Sequence, residues 1–178
     1  SFRPDISFNI CEGKWGRSRE SHVPAILEMM RIPYTGSDVL SLAVALDKPT
    51  AKKIWAYHGI PTPQFTVVPV GRSAVGLGLE FPLFVKPARE GSSMGIGPES
   101  RVTNEIDLSR RVEFIHRYYK QEALVEKYIE GREFTVGILG NAGEEYVFPV
   151  MEIAVDRCPE EEHKGIYSRK FKAEWDDD

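Results

Sequence analysis

The run Phe81-Pro82-Leu83-Phe84-Val85-Lys86-Pro87-Ala88-Arg89-Glu90-Gly91-Ser92-Ser93-Met94-Gly95-Ile96-Gly97 joins an apolar segment, a lysine and a small flexible loop. Those residue types suit the binding of nucleotide phosphates. Phe81 to Val85 is short, aromatic and β-branched, so it reads as a buried strand that delivers Lys86 to its end. From Gly91 to Gly95, backbone N–H groups and the hydroxyls of Ser92 and Ser93 can lie against phosphate oxygens, because glycine permits close approach and unusual dihedrals. Lys86 adds a compact positive charge; a lysine–phosphate pair near a surface has about 4 kcal/mol of gross Coulomb energy at an effective dielectric of about 20. Residue order excludes two familiar phosphate loops. A P-loop carries its lysine after the second glycine, and a dinucleotide fingerprint needs G-x-G-x-x-G between strand and helix; neither pattern occurs. A surface lysine ahead of an ordinary Gly/Ser turn has the same local sequence, so neighbouring segments must separate the two.

The second segment is Leu124-Val125-Glu126-Lys127-Tyr128-Ile129-Glu130-Gly131-Arg132-Glu133-Phe134-Thr135-Val136. It places the Glu126 carboxylate at a strand end and the Glu133 carboxylate at the entry to the next strand. Two acceptors flanking an apolar hinge suit an adenine amino group and a ribose diol. Period-2 alternation puts Glu133, Thr135 and Gly137 on one face and Phe134, Val136 and Ile138 on the other. Two solvated glutamates on a hairpin are the plain alternative.

The elements that must position these groups follow from the remaining pattern. Ile6 to Ile10 reads as a strand, followed by a polar loop from Glu12 to Glu20. Val23, Ile26, Leu27 and Met30 then recur at helical spacing, with Pro24 tolerated in the first turn. Ser37 or Asp38 caps a short apolar helix through Leu46, and Asp47 caps a third helix with Pro49 near its start and Gly59 past its end. Strand-plus-helix alternation over this part suggests an α/β layer. Ile60-Pro61-Thr62-Pro63 is a stiff linker. Beyond it come strands at Phe65 to Val68 and Phe81 to Lys86, a helix from about Asn104 to Tyr119, and a strand at Ala123 to Glu126. A further pair, Arg132 to Leu139 and Tyr146 to Ile153, joins through Asn141-Ala142-Gly143. This second part is an α+β pattern with antiparallel pairing. Asp156 to Lys164 reads as a solvated loop.

Composition narrows the function classes. The chain has 178 residues, 42% of them hydrophobic and 28% charged, which is enough apolar material for a core. Its net charge of -4 argues against a general nucleic-acid binder, which needs clustered lysine and arginine. No apolar run approaches the ~18 residues of a membrane span, and no signal-like leader opens the sequence. Cys11 and Cys158 stand far apart without C-x-x-C or nearby histidine spacing, so neither a disulfide scaffold nor a zinc site is expected; a reducing cytoplasm fits. The chain begins at Ser1 within a strand-like run and stops at Trp175-Asp176-Asp177-Asp178 without a cap, which reads as a fragment.

In order along the chain, Asp47-Lys48, Val85-Lys86-Pro87-Ala88-Arg89-Glu90-Gly91-Ser92-Ser93-Met94-Gly95, Val125-Glu126-Lys127 and Glu133-Phe134-Thr135-Val136 resemble the ATP-grasp fold of D-alanine:D-alanine ligases. Ile32-Pro33-Tyr34-Thr35-Gly36-Ser37 resembles the ligases' segment ahead of the Asp-Lys pair. The resemblance implies a partial ATP-grasp fold: residues 1–46 as the end of an amino-terminal α/β substrate domain, 47–125 as the small subdomain with the phosphate loop, and 126–178 as the start of the large subdomain.

It also implies roles. Lys48 and Lys86 would contact ATP phosphates beneath the loop from Gly91 to Gly95, with Ser92 and Ser93 as hydroxyl donors at the reacting centre. Glu126 would accept from the adenine amino group, Lys127, Tyr128 and Ile129 would line the adenine slot, and Glu133 would hold the ribose. In that family ATP phosphorylates one amino acid's carboxylate, and a second amino acid's amine attacks the acylphosphate. ATP and Mg²⁺ are the implied cofactors, and the family commonly dimerises. Where the ligases read His-Gly and then Gly-Glu-Asp-Gly near the first amino-acid site, this chain reads Glu12-Gly13-Lys14-Trp15-Gly16-Arg17-Ser18-Arg19-Glu20. Glu12 and Arg19 could orient an ammonium and a carboxylate there; a solvated polar loop fits the same residues. Tyr167 and Lys172 are the counterparts of a mobile-loop Tyr and Lys. The family's Mg²⁺ ligands and a transition-state arginine fall beyond Asp178, so this polypeptide alone is expected to be a poor catalyst, and no metal ligand is assigned within it.

The expected activity is an ATP-dependent carboxylate–amine ligase, joining D-alanine to D-alanine as the best single substrate choice. Another ATP-grasp amino-acid or peptide ligase is the nearest alternative. A nucleotide-binding module without catalysis, or an α/β domain used for protein contacts, are the readings from other classes.

Overall fold

Alternation along β2 (Leu83–Pro87) organises the central layer. Leu83, Val85 and Pro87 are buried while Phe84 and Lys86 are only partly so, the period of two that sends successive side chains to opposite faces. The structure is a computed structural model and describes residues 4–154 and 166. In it β1 (Phe65–Val68), β4 (Ala123–Lys127), β2 and β3 (Arg101–Val102) form one antiparallel sheet in the order β1-β4-β2-β3. Phe84 pairs with Glu126 and Lys86 with Leu124, while Phe65 pairs with Glu126 from the other side. Phe65, Phe84, Lys86, Leu124 and Glu126 therefore share one face.

The opposite face is the core. Val68, Leu83, Val85, Ala123 and Val125 pack on Leu108, Val112 and Ile115 of α4 (Glu105–Tyr119). Those three recur at i, i+4, i+7, a single apolar stripe. Val85, Val125 and Ile115 are fully enclosed, and each such side chain contributes about 1.5–3 kcal/mol relative to exposure. Asn104 caps α4 by accepting from Asp107 N at 2.9 Å. The face carrying Lys86 and Glu126 thus rests on a fixed base.

Before this layer lie α1 (His22–Met29), α2 (Val39–Leu46) and α3 (Lys48–Tyr57). Asp38 caps α2 through Ser41 N at 2.7 Å, and Asp47 caps α3 through Thr50 N at 3.1 Å, with Pro49 in the first turn. Both caps are those expected from the sequence. The expected strand from Ile6 to Ile10 is not formed: Ser7 makes one parallel bridge with Tyr34, and Ile6, Phe8 and Ile10 stay exposed. Alternating side chains make a strand only when a partner completes the ladder. The polar loop ends in a 3-10 turn, Arg19–Ser21, that leads into α1.

The late hairpin is broken into two ribbons. β5 (Glu133–Thr135) pairs with β8 (Met151–Ile153), and β6 (Ile138–Leu139) with β7 (Tyr146–Val147). The interruption falls at Gly137, whose carbonyl accepts from Phe148 N at 2.9 Å, consistent with the weakening effect of glycine inside a strand. The mixed α/β composition with antiparallel pairing matches the expected class. Among the described residues no helix is long and apolar enough to cross a membrane.

Candidate functional site

Lys86 and Glu126 lie diagonally across β2 and β4 and meet at 2.5 Å, Nζ to Oε1. Lys52 reaches the other carboxylate oxygen at 2.9 Å from α3. The pair opens onto a cleft of about 510 Å³ whose wall continues through Lys127, Tyr128, Ile129 and Glu133. Phe84 and Tyr128 stack at a centroid distance of 6.0 Å, giving an apolar flank beside the carboxylate. Lys127 Nζ donates to the Glu80 and Phe81 carbonyls at 3.1 and 3.2 Å, tying the approach to β2 onto the wall.

Lys48 stands at the start of α3, close behind. Its backbone N–H donates to Ala88 O at 3.1 Å, and its ammonium donates to the carbonyl of Glu90, at the root of the loop. Burial, and after it the positive charge of Lys86, pushes the Lys48 ammonium down to about 8. A lysine lowered by burial and by a second positive charge is one whose charged form an added anion would favour.

The loop has a fixed backbone. Ser92 and Ser93 both adopt positive φ, 47° and 55°, a region non-glycine residues seldom occupy. Met94 N bonds Gly91 O at 2.9 Å and Ile96 N bonds Ser93 O at 3.0 Å. Gly95 has φ 72°, and a Cβ there would meet Pro87 Cγ at 2.6 Å, so the close turn excludes a side chain. A Cβ at Gly91 would meet Glu20 Oε1 at 2.8 Å. Ser92 Oγ donates to Glu12. Burial raises the Glu20 carboxyl above its ordinary range.

A second cavity, about 640 Å³, is lined by Glu12, Arg17, Arg19, Arg89 and Glu90 among others. Its arginines are committed. Arg19 donates to Arg89 O at 2.9 Å and to Glu90 Oε2 at 3.1 Å. Arg17 and Arg89 both meet Asp47, at 2.6 and 2.9 Å, and Arg89 also pairs with Glu122. Burial works against the Asp47 charge, but hydrogen bonds from Arg89, Thr50 and Arg17 outweigh it and hold the carboxyl well below its usual range.

Of the residues expected to bind nucleotide, Lys86, Ser93, Glu126, Lys127, Tyr128, Ile129 and Glu133 line one cleft, while Lys48 and Ser92 bond to Glu90 and Glu12, which line the second cavity, and Gly91 and Gly95 abut Glu20 and Pro87. Glu12 and Arg19 fall together on the second cavity, with Arg19 engaged as a tie between segments. Tyr167, Lys172 and the run Asp176 to Asp178 lie outside the described residues. Sequence reading passed over Lys52, although its i, i+4 spacing from Lys48 marks one face of α3. It also passed over the arginine pairing on Asp47, which joins residues far apart in the chain.

The family described as D-ala D-ala ligase C-terminus matches residues 54–175. A D-alanine--D-alanine ligase of Syntrophotalea carbinolica is 42% identical over 135 residues, covering 76% of this chain and 42% of that protein. The VanG D-Ala:D-Ser ligase of Enterococcus faecalis superposes with a TM-score of 0.71 at 31% identity, over 85% of this chain and 43% of that one. A D-alanine--D-alanine ligase of Bacillus anthracis, solved in complex with ATP, gives 0.63 at 28% identity over 85% and 52%. The chain spans less than half the length of the curated relatives it matches. Its match over residues 54–175 and its partial ATP-grasp-like fold place this chain in the D-alanine--D-alanine ligase family.

Proposed function

We propose that this chain carries the nucleotide-binding part of an ATP-dependent ligase that joins a carboxylate to an amine, with D-alanine as both substrates. The observation that supports the reading best is Lys86 paired with Glu126 at 2.5 Å over a cleft walled by Tyr128, Ile129 and Glu133. A lysine suited to phosphate and two carboxylates suited to a base amino group and a ribose diol line the same cleft.

In this reading Lys86 and Lys48 hold the phosphates, and the loop from Gly91 to Gly95 covers them with backbone N–H groups. Glu126 accepts from the adenine amino group and Glu133 from the ribose. The substrate carboxylate attacks the terminal phosphorus and ADP leaves; the second amine then attacks the acyl carbon, phosphate departs and the amine loses its proton. The residues contribute positioning and charge stabilisation rather than covalent chemistry. The tight turn at Gly95, which rejects a Cβ, and the positive charge of Lys86 acting on Lys48 support a phosphate-bearing ligand. Magnesium belongs to the reading as the partner of ATP, but among the described residues no group of three His, Cys, Asp or Glu could hold a metal, and no step is derived through it.

The division into 1–46, 47–125 and 126–178 belongs to the same reading, with one adjustment: β4 continues in register to Lys127, so the second boundary is better drawn after that residue. A cytoplasmic location follows from the need for ATP, cell-wall precursor synthesis from D-alanine as substrate, and a homodimer from the family resemblance; sedimentation of the intact protein tests the last.

The deciding experiment is phosphate release by the intact protein with Mg·ATP over D- and L-amino acids, singly and in pairs. D-Serine belongs in the panel because of the VanG likeness. Release that requires D-alanine and yields a dipeptide supports the reading. ATP binding without release for any pair points instead to another ligase substrate or to a module that only senses the nucleotide.

A further inference from the structure

Glu126 is held from both sides, and its two cations differ in kind. Lys86 lines the cleft with a side chain 20% exposed, whereas Lys52 is 5% exposed. Lys52 also donates to Thr62 Oγ1 at 2.6 Å, and its Nζ sits 5.1 Å from the centre of the Phe65 ring. Glu126 Oε2 is sealed from solvent and accepts no hydrogen bond of good geometry; among the described residues the Lys52 ammonium, at 2.9 Å, is the cation that meets it.

This asymmetry has a consequence for binding. A buried ion pair resists separation, because the charge left behind has already lost its water. Were Lys86 the sole partner of Glu126, turning it toward a phosphate would strand the carboxylate. With Lys52 fixed behind, Glu126 keeps a counter-charge whichever way Lys86 points. We propose that Lys52 is a positioning residue for nucleotide binding: as the standing counter-ion of Glu126 it releases Lys86 to the phosphates and keeps the carboxylate aimed at the base. The inference rests on the ATP reading above.

The test is a set of dissociation constants for ATP and GTP, measured on the intact protein as wild type, Lys52→Met, Lys52→Arg, Glu126→Gln and the Lys52→Met/Glu126→Gln pair. Lys52→Met is expected to weaken ATP binding about tenfold and to lower the ATP-over-GTP preference. Lys52→Arg restores most of both. In the Glu126→Gln background, Lys52→Met costs less than about twofold, since no charge remains to be balanced. A lysine that only packs α3 against β1 would give additive losses and an unchanged ATP-over-GTP ratio, which overturns the proposal. If Lys52→Met alone does not fold, the double variant still decides: ATP affinity equal to that of Glu126→Gln supports the proposal, and affinity about tenfold poorer overturns it. A wild type that fails to bind ATP removes this inference together with the nucleotide reading. Wild-type binding that Lys52→Met leaves unchanged removes this inference alone.

Discussion

Lys86 Nζ lies 2.5 Å from Glu126 Oε1 on the neighbouring strand. The side chain proposed for phosphate and the side chain proposed for adenine are therefore already partners, and in that reading nucleotide binding exchanges one ion pair for two contacts. Pre-pairing gives each side chain an opposite partner in the cleft, at the cost of part of the gross attraction each has for ligand.

Lys86→Ala is expected to weaken ATP binding by about 1.5–3 kcal/mol, the range for a hydrogen bond to a charged group. Glu126 retains Lys52 at 2.9 Å, so the variant should fold. Calorimetric titration with ATP checks this, and an unchanged affinity removes Lys86 from the phosphate site.

Glu126→Ala acts on base choice. Loss of the acceptor removes the feature that favours an amino group over a carbonyl on the purine, so the ratio of ATP to GTP affinity should fall toward unity. Competition binding with the two nucleotides measures it; a preference that survives the substitution assigns adenine recognition elsewhere.

How much of this was legible in the sequence depends on the range of the interaction. Helix caps are local: Asp47 caps where the sequence places it, Asp38 is the one used of the two residues that the sequence offers, Ser37 and Asp38, and Asn104 caps at the expected start of α4. The strand at Phe65 to Val68 has the same bounds as expected, because its apolar character is fixed by its own residues. The Ile6 to Ile10 run has that character too, but lacks a ladder beyond Ser7 and Tyr34. Glu126 and Lys86 could each be chosen by type and spacing, yet their direct pairing depends on the register of β2 against β4. Lys52 was hidden for a similar reason: its meaning comes from a carboxylate on another element. The arginines that converge on Asp47 are separated from it by long stretches of chain, beyond what any local pattern carries.

Lys48 supplies a pH dependence. Burial and the Lys86 charge lower its ammonium to about 8, while a bound phosphate favours the charged form and raises it again. Binding therefore takes up a proton above that value, and ATP affinity should drop about tenfold between about pH 7 and about pH 9. Folding shows the opposite slope: a lysine depressed in the folded state contributes stability that increases as pH rises from about 8 toward its unfolded value. Lys48→Arg, which stays charged over this range, should flatten the binding profile. A wild-type affinity constant across that interval rejects the role of Lys48.

Asp47 joins three things that would otherwise be independent: the start of α3 through Thr50 N at 3.1 Å, the polar loop through Arg17 at 2.6 Å, and the segment after β2 through Arg89 at 2.9 Å. Its side chain is 7% exposed, so Asp47→Ala leaves a helix N-terminus uncapped and Arg89 without one of its two carboxylates. The expected loss is about 2–4 kcal/mol of unfolding free energy, with the exposed Arg17 contributing least. Because its pairing holds the carboxyl below the ordinary aspartate value, the stabilisation is present above about pH 4 and is lost as pH falls through the folded-state value. Urea unfolding of wild type and Asp47→Ala at about pH 7 and about pH 3 should show the gap between them narrowing in acid. A gap that stays constant would mean that Asp47 stabilises the chain through shape rather than through its charged contacts to Arg17 and Arg89.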